Sequence, residues 1–184
     1  MSMPLDSFDE PGHLYFITAS IICWMPLFKE DRFARVILDG LSFYRNKKEI
    51  LLFGFVIMPS HIHIIIKPIN IPIGKFLQSF GSLTAHKMVK MLRDEQRRDI
   101  LGTFHENRRD RRSNYSFWQE IFTENIFTQK FLDQKLEYIH QNPISKAEDI
   151  IGNRTSYLYS SAGFYDKGEN PIIEIDDIRD YLIQ

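Results

Sequence analysis

Residues 49–68 read EILLFGFVIMPSHIHIIIKP. Two apolar runs rich in Ile, Val and Phe are parted only by Pro59 and Ser60, so the stretch predicts two antiparallel strands, 49–58 and 61–68, joined by a tight turn. Successive side chains of a strand face opposite ways. Ile62, Ile64 and Ile66 therefore take one face, the natural core face, while His61, His63, Ile65 and Lys67 take the other. Two imidazoles one residue apart on a shared face sit about 6–7 Å apart at their Cα atoms. That separation lets both reach one metal ion, although structural histidines fit the pattern too. With both side chains off the core face, truncating either is expected to cost little stability.

Working outward, HLYFITASII (13–22) reads as a first strand. DRFARVILDGLSFYRNKK (31–48) sets Phe33, Val36, Ile37, Leu41 and Tyr44 at helical spacing. After the hairpin, 71–93 returns to helix through Phe76, Leu77, Phe80, Leu83, Met88 and Leu92, with Gly81 in its midst. A charged connector leads to SFWQEIFTENIF (116–127), a fourth strand. A last helix starts with Thr128 as N-cap and is closed by Pro143. The order β-α-β-β-α-β-α predicts an α+β, ferredoxin-like fold: an antiparallel sheet with helices packed on one face. Residues 1–165 form the domain, and 166–184 an acidic C-terminal tail with six acids against two bases.

With 43% hydrophobic and 14% aromatic residues, the chain is long and apolar enough for a real core, which excludes disorder. No run approaches the roughly 20 apolar residues of a membrane span. The acidic start MSMPLDSFDEPG lacks the basic and apolar regions of a signal peptide. Cys23 is the only cysteine, which excludes a disulfide framework or a Cys-based zinc site. A cytoplasmic location is the expectation. Net charge is −1, yet residues 87–112 carry nine Lys/Arg against five Asp/Glu. That asymmetry fits either a localised anion-binding patch or a solvated helix and loop.

Two histidines rarely suffice for a metal, and the chain has no HExxH and no Cys pair. The last helix does offer chemistry in LEYIHQNP (136–143). Tyr138 and Asn142 are four apart and share a face, while Leu132, Leu136 and Ile139 form a stripe to pack on the sheet. Tyrosine is a poor nucleophile unaided but can attack an electrophile that a metal activates. A half-buried Tyr beside a helix-ending Asn-Pro is the plainer alternative. His140 points away from that face and reads as structural.

FVIMPSHIHIII taken with FWQ, KLEYIHQNPISKA and YSSA resembles the REP-associated tyrosine transposases, a branch of the single-tyrosine transposases in the HUH nuclease superfamily. The resemblance runs from about Leu14 to Ala162. It implies that His61, His63 and Asn142 hold a divalent metal and that Tyr138, on a late helix, is the nucleophile; imidazole with open oxygen positions suits Mg²⁺ or Mn²⁺ better than Zn²⁺. Members of that family cut single-stranded DNA near hairpins of palindromic repeats, linking the tyrosine to the 5′ phosphate and releasing a 3′ hydroxyl. The chain departs from the family pattern at Ser60, where Asn is usual, and in ISKAED after the Asn-Pro pair.

Within this reading Arg108, Arg109, Arg111 and Arg112 are candidates to hold phosphates. Tyr115, Phe117 and Trp118 offer either base-stacking surfaces or core packing. The expected partner is single-stranded or hairpin DNA, with the enzyme a monomer or homodimer and no membrane association. Two rivals stand beside a transposase or nickase. One is a ferredoxin-like nucleic-acid-binding module without catalysis, and the other a metal phosphodiesterase that uses water.

Overall fold

The computed structural model describes residues 12–108, 111, 113–145 and 153–181. Four strands, β1 (Leu14–Ile21), β2 (Ile50–Ile57), β3 (His61–Pro68) and β4 (Trp118–Ile126), form one antiparallel sheet in the order β2-β3-β1-β4. With α1 (Asp31–Asn46) between β1 and β2, and α2 (Ile73–Asp94) between β3 and β4, this is the ferredoxin-like topology. Among the described residues no helix is long and apolar enough to cross a membrane.

The two crossover helices cover one face of the sheet. Phe33, Ile37 and Leu41 of α1 and Phe76, Phe80 and Met88 of α2 pack on Ile17, Ala19, Ile62, Ile64 and Ile66. Gly81 interrupts α2 for a packing reason: a Cβ there would lie 3.2 Å from Ile121 Cδ1. The connector holds a helix that the sequence reading missed, α3 (Arg98–Glu106), which buries Ile100, Leu101 and Phe104 beneath α2.

The last long helix, α4 (Gln129–Ser145), lies on the opposite face, the side of His61 and His63. Thr128 caps it as expected, its Oγ1 accepting the Phe131 N–H at 3.2 Å. Pro143 does not close it; the helix runs to Ser145. Proline in the final turn removes one hydrogen bond near the end of the ladder, so the cost that would break a helix interior is not met in full. Leu132 and Ile139 are fully buried against Phe16, Phe53, Val56 and Ile65.

A register shift between Leu52 and Gly54 shapes that contact. Phe53 is the extra residue of a β-bulge, and Phe53 joins the α4 side while Leu52 and Phe55 join the α1/α2 side. Gly54 then meets α4 directly: a Cβ there would lie 3.0 Å from Ile139 Cδ1 and 3.1 Å from Leu136 Cδ2. Gly54→Val should force α4 outward, destabilising the fold by about 1–3 kcal/mol as other overpacked cores are. Denaturant unfolding checks this, with no change in midpoint as the contrary result.

The acidic end runs beside β2. The Asp176 N–H donates to Leu52 O at 2.7 Å, its carboxylate accepts the Leu52 N–H at 2.9 Å, and Arg45 binds both Asp176 and Glu174. A single helical turn, Ile178–Asp180, follows and buries Ile178. A short helix, α5 (Ala162–Lys167), precedes it.

Candidate functional site

The turn between β2 and β3 is fixed before the histidines begin. The Met58 N–H donates to His61 O at 2.8 Å, closing a two-residue turn at Pro59 and Ser60. Pro59 O accepts from Phe28 N at 2.9 Å, and Ser60 O accepts from Ile21 N at 2.9 Å. His61 therefore starts β3 at a position set by both neighbouring segments.

Both imidazoles face α4, and both are buried, His61 to 6% exposure and His63 to 3%. The expectation that they cost little to truncate is corrected by this. The face opposite the main core is itself covered, by α4 and by Phe16 and Trp24. The rings lie 5.0 Å apart, centroid to centroid. Phe16 stacks on His63 at 5.4 Å, and Trp24 meets His61 edge-on at 5.4 Å. Each Nδ1 has a hydroxyl neighbour: Thr18 Oγ1 at 2.8 Å from His63, and Ser60 Oγ at 3.3 Å from His61. With Nδ1 so engaged, the buried Nε2 atoms are the ring nitrogens that a metal would use. Ser60 thus supplies a hydrogen-bonding group in the turn.

From α4, the Tyr138 ring reaches His63 at 5.2 Å and Phe16 at 6.0 Å while staying 43% exposed. One turn on, Asn142 is buried, its Nδ2 donating to Tyr138 O at 2.8 Å. Its Oδ1 is buried with no hydrogen-bond partner. A buried amide oxygen left so costs about 1–3 kcal/mol, and such an atom calls for an explanation, whether an ordered water, an ion, strain or a functional role. Among the described residues no three His, Cys, Asp or Glu side chains gather as a metal site. The candidate nitrogen and oxygen ligands on this side of the sheet are the two imidazoles of β3 and the amide of Asn142 on α4.

The other tyrosines are placed differently. Tyr15 and Tyr44 are buried in the main core. Tyr157 donates to Ile57 O at 2.7 Å, and burial pushes its phenol up to about 12. Tyr165 donates to Phe53 O at 2.7 Å and is likewise raised by burial. Tyr159 is bound to Asp31. Tyr138 is the tyrosine in ring contact with His63.

α4 is held on its outer side by Arg154, which binds Glu137 of α4 and Asp166 of α5. His140 is structural, as expected, with Nε2 2.9 Å from Ser161 Oγ, which also accepts the Phe55 N–H at 3.0 Å. Burial, then the charge of Arg154, lowers His140 to about 4 from 6.5. Between those values the unfolded chain binds the proton and the folded one does not. The fold's preference for neutral imidazole is thus fully present above about 6.5 and is lost as pH falls toward 4. At about 1.4 kcal/mol per unit, this one group accounts for up to ~3 kcal/mol. His140→Gln should flatten the slope of stability against pH in that window, and an unchanged slope in chemical denaturation would contradict the assignment.

The arginine group divides. Arg109 and Arg112 lie outside the described residues, as does the 146–149 part of ISKAED. Arg111 is exposed, and the Arg108 guanidinium donates to His105 O. The connector enters β4 at Trp118, opposite Ile21, at the sheet end where β3 begins with His61. Phe117 is core, and Trp118 is half-buried with Nε1 donating to Gly81 O at 3.2 Å. Tyr115 has Arg93 5.0 Å above its ring. None of the three is a free stacking surface. Besides Tyr138, Trp24 and Phe122 are exposed on the histidine side of the sheet, and no motif or periodicity marked these two.

No protein-family profile matches the chain, and no curated protein does. Among solved structures, it is similar to a REP-associated tyrosine transposase solved bound to a REP hairpin. The TM-score is 0.62 at 16% identity, covering 100% of this chain and 96% of the other. At that identity the likeness establishes a shared fold. A Deinococcus radiodurans R1 protein described as a candidate transposase aligns over 77% of this chain and 97% of its own, at 12% identity and a TM-score of 0.44, too low to bear on the fold.

Proposed function

We propose that the protein is a DNA strand-transfer enzyme in which Tyr138 attacks a phosphodiester of single-stranded DNA beside a hairpin. The observation that carries this reading is the buried, unpartnered Oδ1 of Asn142, one helical turn from the tyrosine whose ring touches His63. A divalent cation, Mg²⁺ or Mn²⁺, fits this donor set: His61 Nε2, His63 Nε2 and Asn142 Oδ1 would hold it. When bound, it supplies positive charge to polarise the scissile phosphate, undiminished by its neutral ligands.

The chain's own residues do the rest. The Tyr138 oxygen forms the bond to phosphorus and gives up its proton, while the bond to the 3′ oxygen breaks and that oxygen leaves as a hydroxyl. The 5′ phosphate stays on the tyrosine as an ester, so a later 3′ hydroxyl can reverse the step without an added energy source. Partial exposure of Tyr138 lets DNA reach it. Phe16 and the α4 packing fix the ring. Arg108 and Arg111, on the connector that leads into β4, add positive charge for the DNA backbone. The shared fold with a transposase solved on a DNA hairpin supports the choice of substrate.

The test is incubation of a labelled DNA hairpin carrying a single-stranded flank with protein and Mn²⁺, followed by denaturing electrophoresis. A covalent protein–DNA band is expected. Binding without a nick, or a nick without the band, would overturn the proposal.

A further inference from the structure

Trp24 and Phe122 are exposed aromatics on the histidine side of the sheet, in addition to the partly exposed Tyr138. Trp24 is 54% exposed and touches His61. Phe122 is 57% exposed and pairs across the sheet with Thr18, which pairs in turn with His63. Residues directly opposite in an antiparallel sheet share a face, so Phe122 projects on the histidine side. Trp24 thus abuts His61, while Phe122 lies two strands from His63 on the same face.

Single exposed apolar residues are ordinary, but the backbone sets Trp24 apart. Cys23 (φ 55) and Trp24 (φ 52) are consecutive side-chain-bearing residues in the left-handed region, a costly conformation that tends to persist where function requires it. It is held in place: Cys23 N–H donates to Gln119 Oε1 at 3.0 Å, and Ile22 N–H to Phe117 O at 2.9 Å. The held segment leaves the indole against His61 and open to solvent.

We propose that Trp24 and Phe122 are a stacking platform for unpaired bases of single-stranded DNA next to the scissile phosphate. The proposal rests on the strand-transfer reading for the identity of the strand. The flat faces of Trp and Phe accept any base, with little sequence selection. Arg111, exposed on the connector that leads into β4, adds positive charge for the backbone. Duplex DNA hides its base faces and gains nothing from such a platform.

The test uses the full chain with chelator present, so that no chemistry occurs, and reads anisotropy of three labelled probes: a single strand of thymidines, the same strand with abasic sites throughout, and a blunt duplex. Wild type should bind the thymidine strand more tightly than the abasic one. Trp24→Ala with Phe122→Ala should weaken the thymidine complex by about 5- to 100-fold, the range of losing one or more stacked bases, and change the other two little. Trp24→Phe, which keeps a ring, should recover most of the single-variant loss. Equal affinity of wild type and double variant for the thymidine strand would overturn the platform, as would an equal loss on all three probes. Absence of a covalent adduct between wild type and the hairpin with Mn²⁺ would sink the strand-transfer reading and leave this binding result standing.

Discussion

Tyr138→Phe is expected to abolish both the covalent adduct and the nick, by at least about a thousandfold, the scale of losing a covalent nucleophile. The variant keeps the ring that contacts His63 and Phe16, and it leaves the buried α4 stripe of Leu132 and Ile139 untouched. Folding and metal binding should therefore match wild type, which isolates the oxygen. The result also separates strand transfer from hydrolysis. If water were the nucleophile, the nick would persist in Tyr138→Phe with a modest rate change and no adduct would form in wild type. Mass spectrometry of the DNA-linked peptide decides the residue. Tyr157 and Tyr165 are poor competitors because each hydroxyl is buried on a strand carbonyl, and burial disfavours the phenolate of both. An adduct on any tyrosine other than Tyr138 would overturn the mechanism.

The hairpin was legible because its signals are local. Pro59 and Ser60 interrupt two β-rich runs, and β3 begins and ends where those runs do, at His61 and Pro68. Strand parity likewise put His61 and His63 on one side. What parity cannot state is whether that side is covered. α4 returns across it through contacts distant in sequence, so burial of the histidines was hidden. The bulge at Phe53 was hidden too, since FGF within an apolar run reads as ordinary alternation. α3 escaped because Arg97, Arg98 and Asp99 mask its few apolar positions, Ile100, Leu101 and Phe104. Trp24 follows a strand and precedes Met-Pro, where an apolar residue reads as core; its exposure follows from two left-handed residues that no spacing rule announces. Tyr138 and Asn142 were readable as a pair because helical spacing is reliable at i and i+4, and the unusual Pro143 in the last turn did not disturb them.

Asn142→Leu should leave a folded protein that binds Mn²⁺ poorly and cleaves at least about 100-fold more slowly, in line with losses on damaging a metal's coordination shell. The side chains are similar in size, so the buried space stays filled. The change removes the unpartnered Oδ1 and also the Nδ2 bond to Tyr138 O. Relief of the first offsets loss of the second, so stability should stay within about 1 kcal/mol of wild type. His63→Ala behaves differently. His63 is 3% exposed and stacked on Phe16, so its loss leaves a cavity as well as a missing ligand, and stability should fall along with activity. The two variants together distinguish a ligand set from a packing cluster. Electron paramagnetic resonance of bound Mn²⁺, read without DNA, supplies the signal that packing alone would not move. A purely structural Asn142 predicts an unchanged Mn²⁺ affinity in Asn142→Leu, and that outcome would remove it from the site. Ligation requires neutral imidazole, so Mn²⁺ binding should also weaken as pH falls into the range where histidine gains a proton.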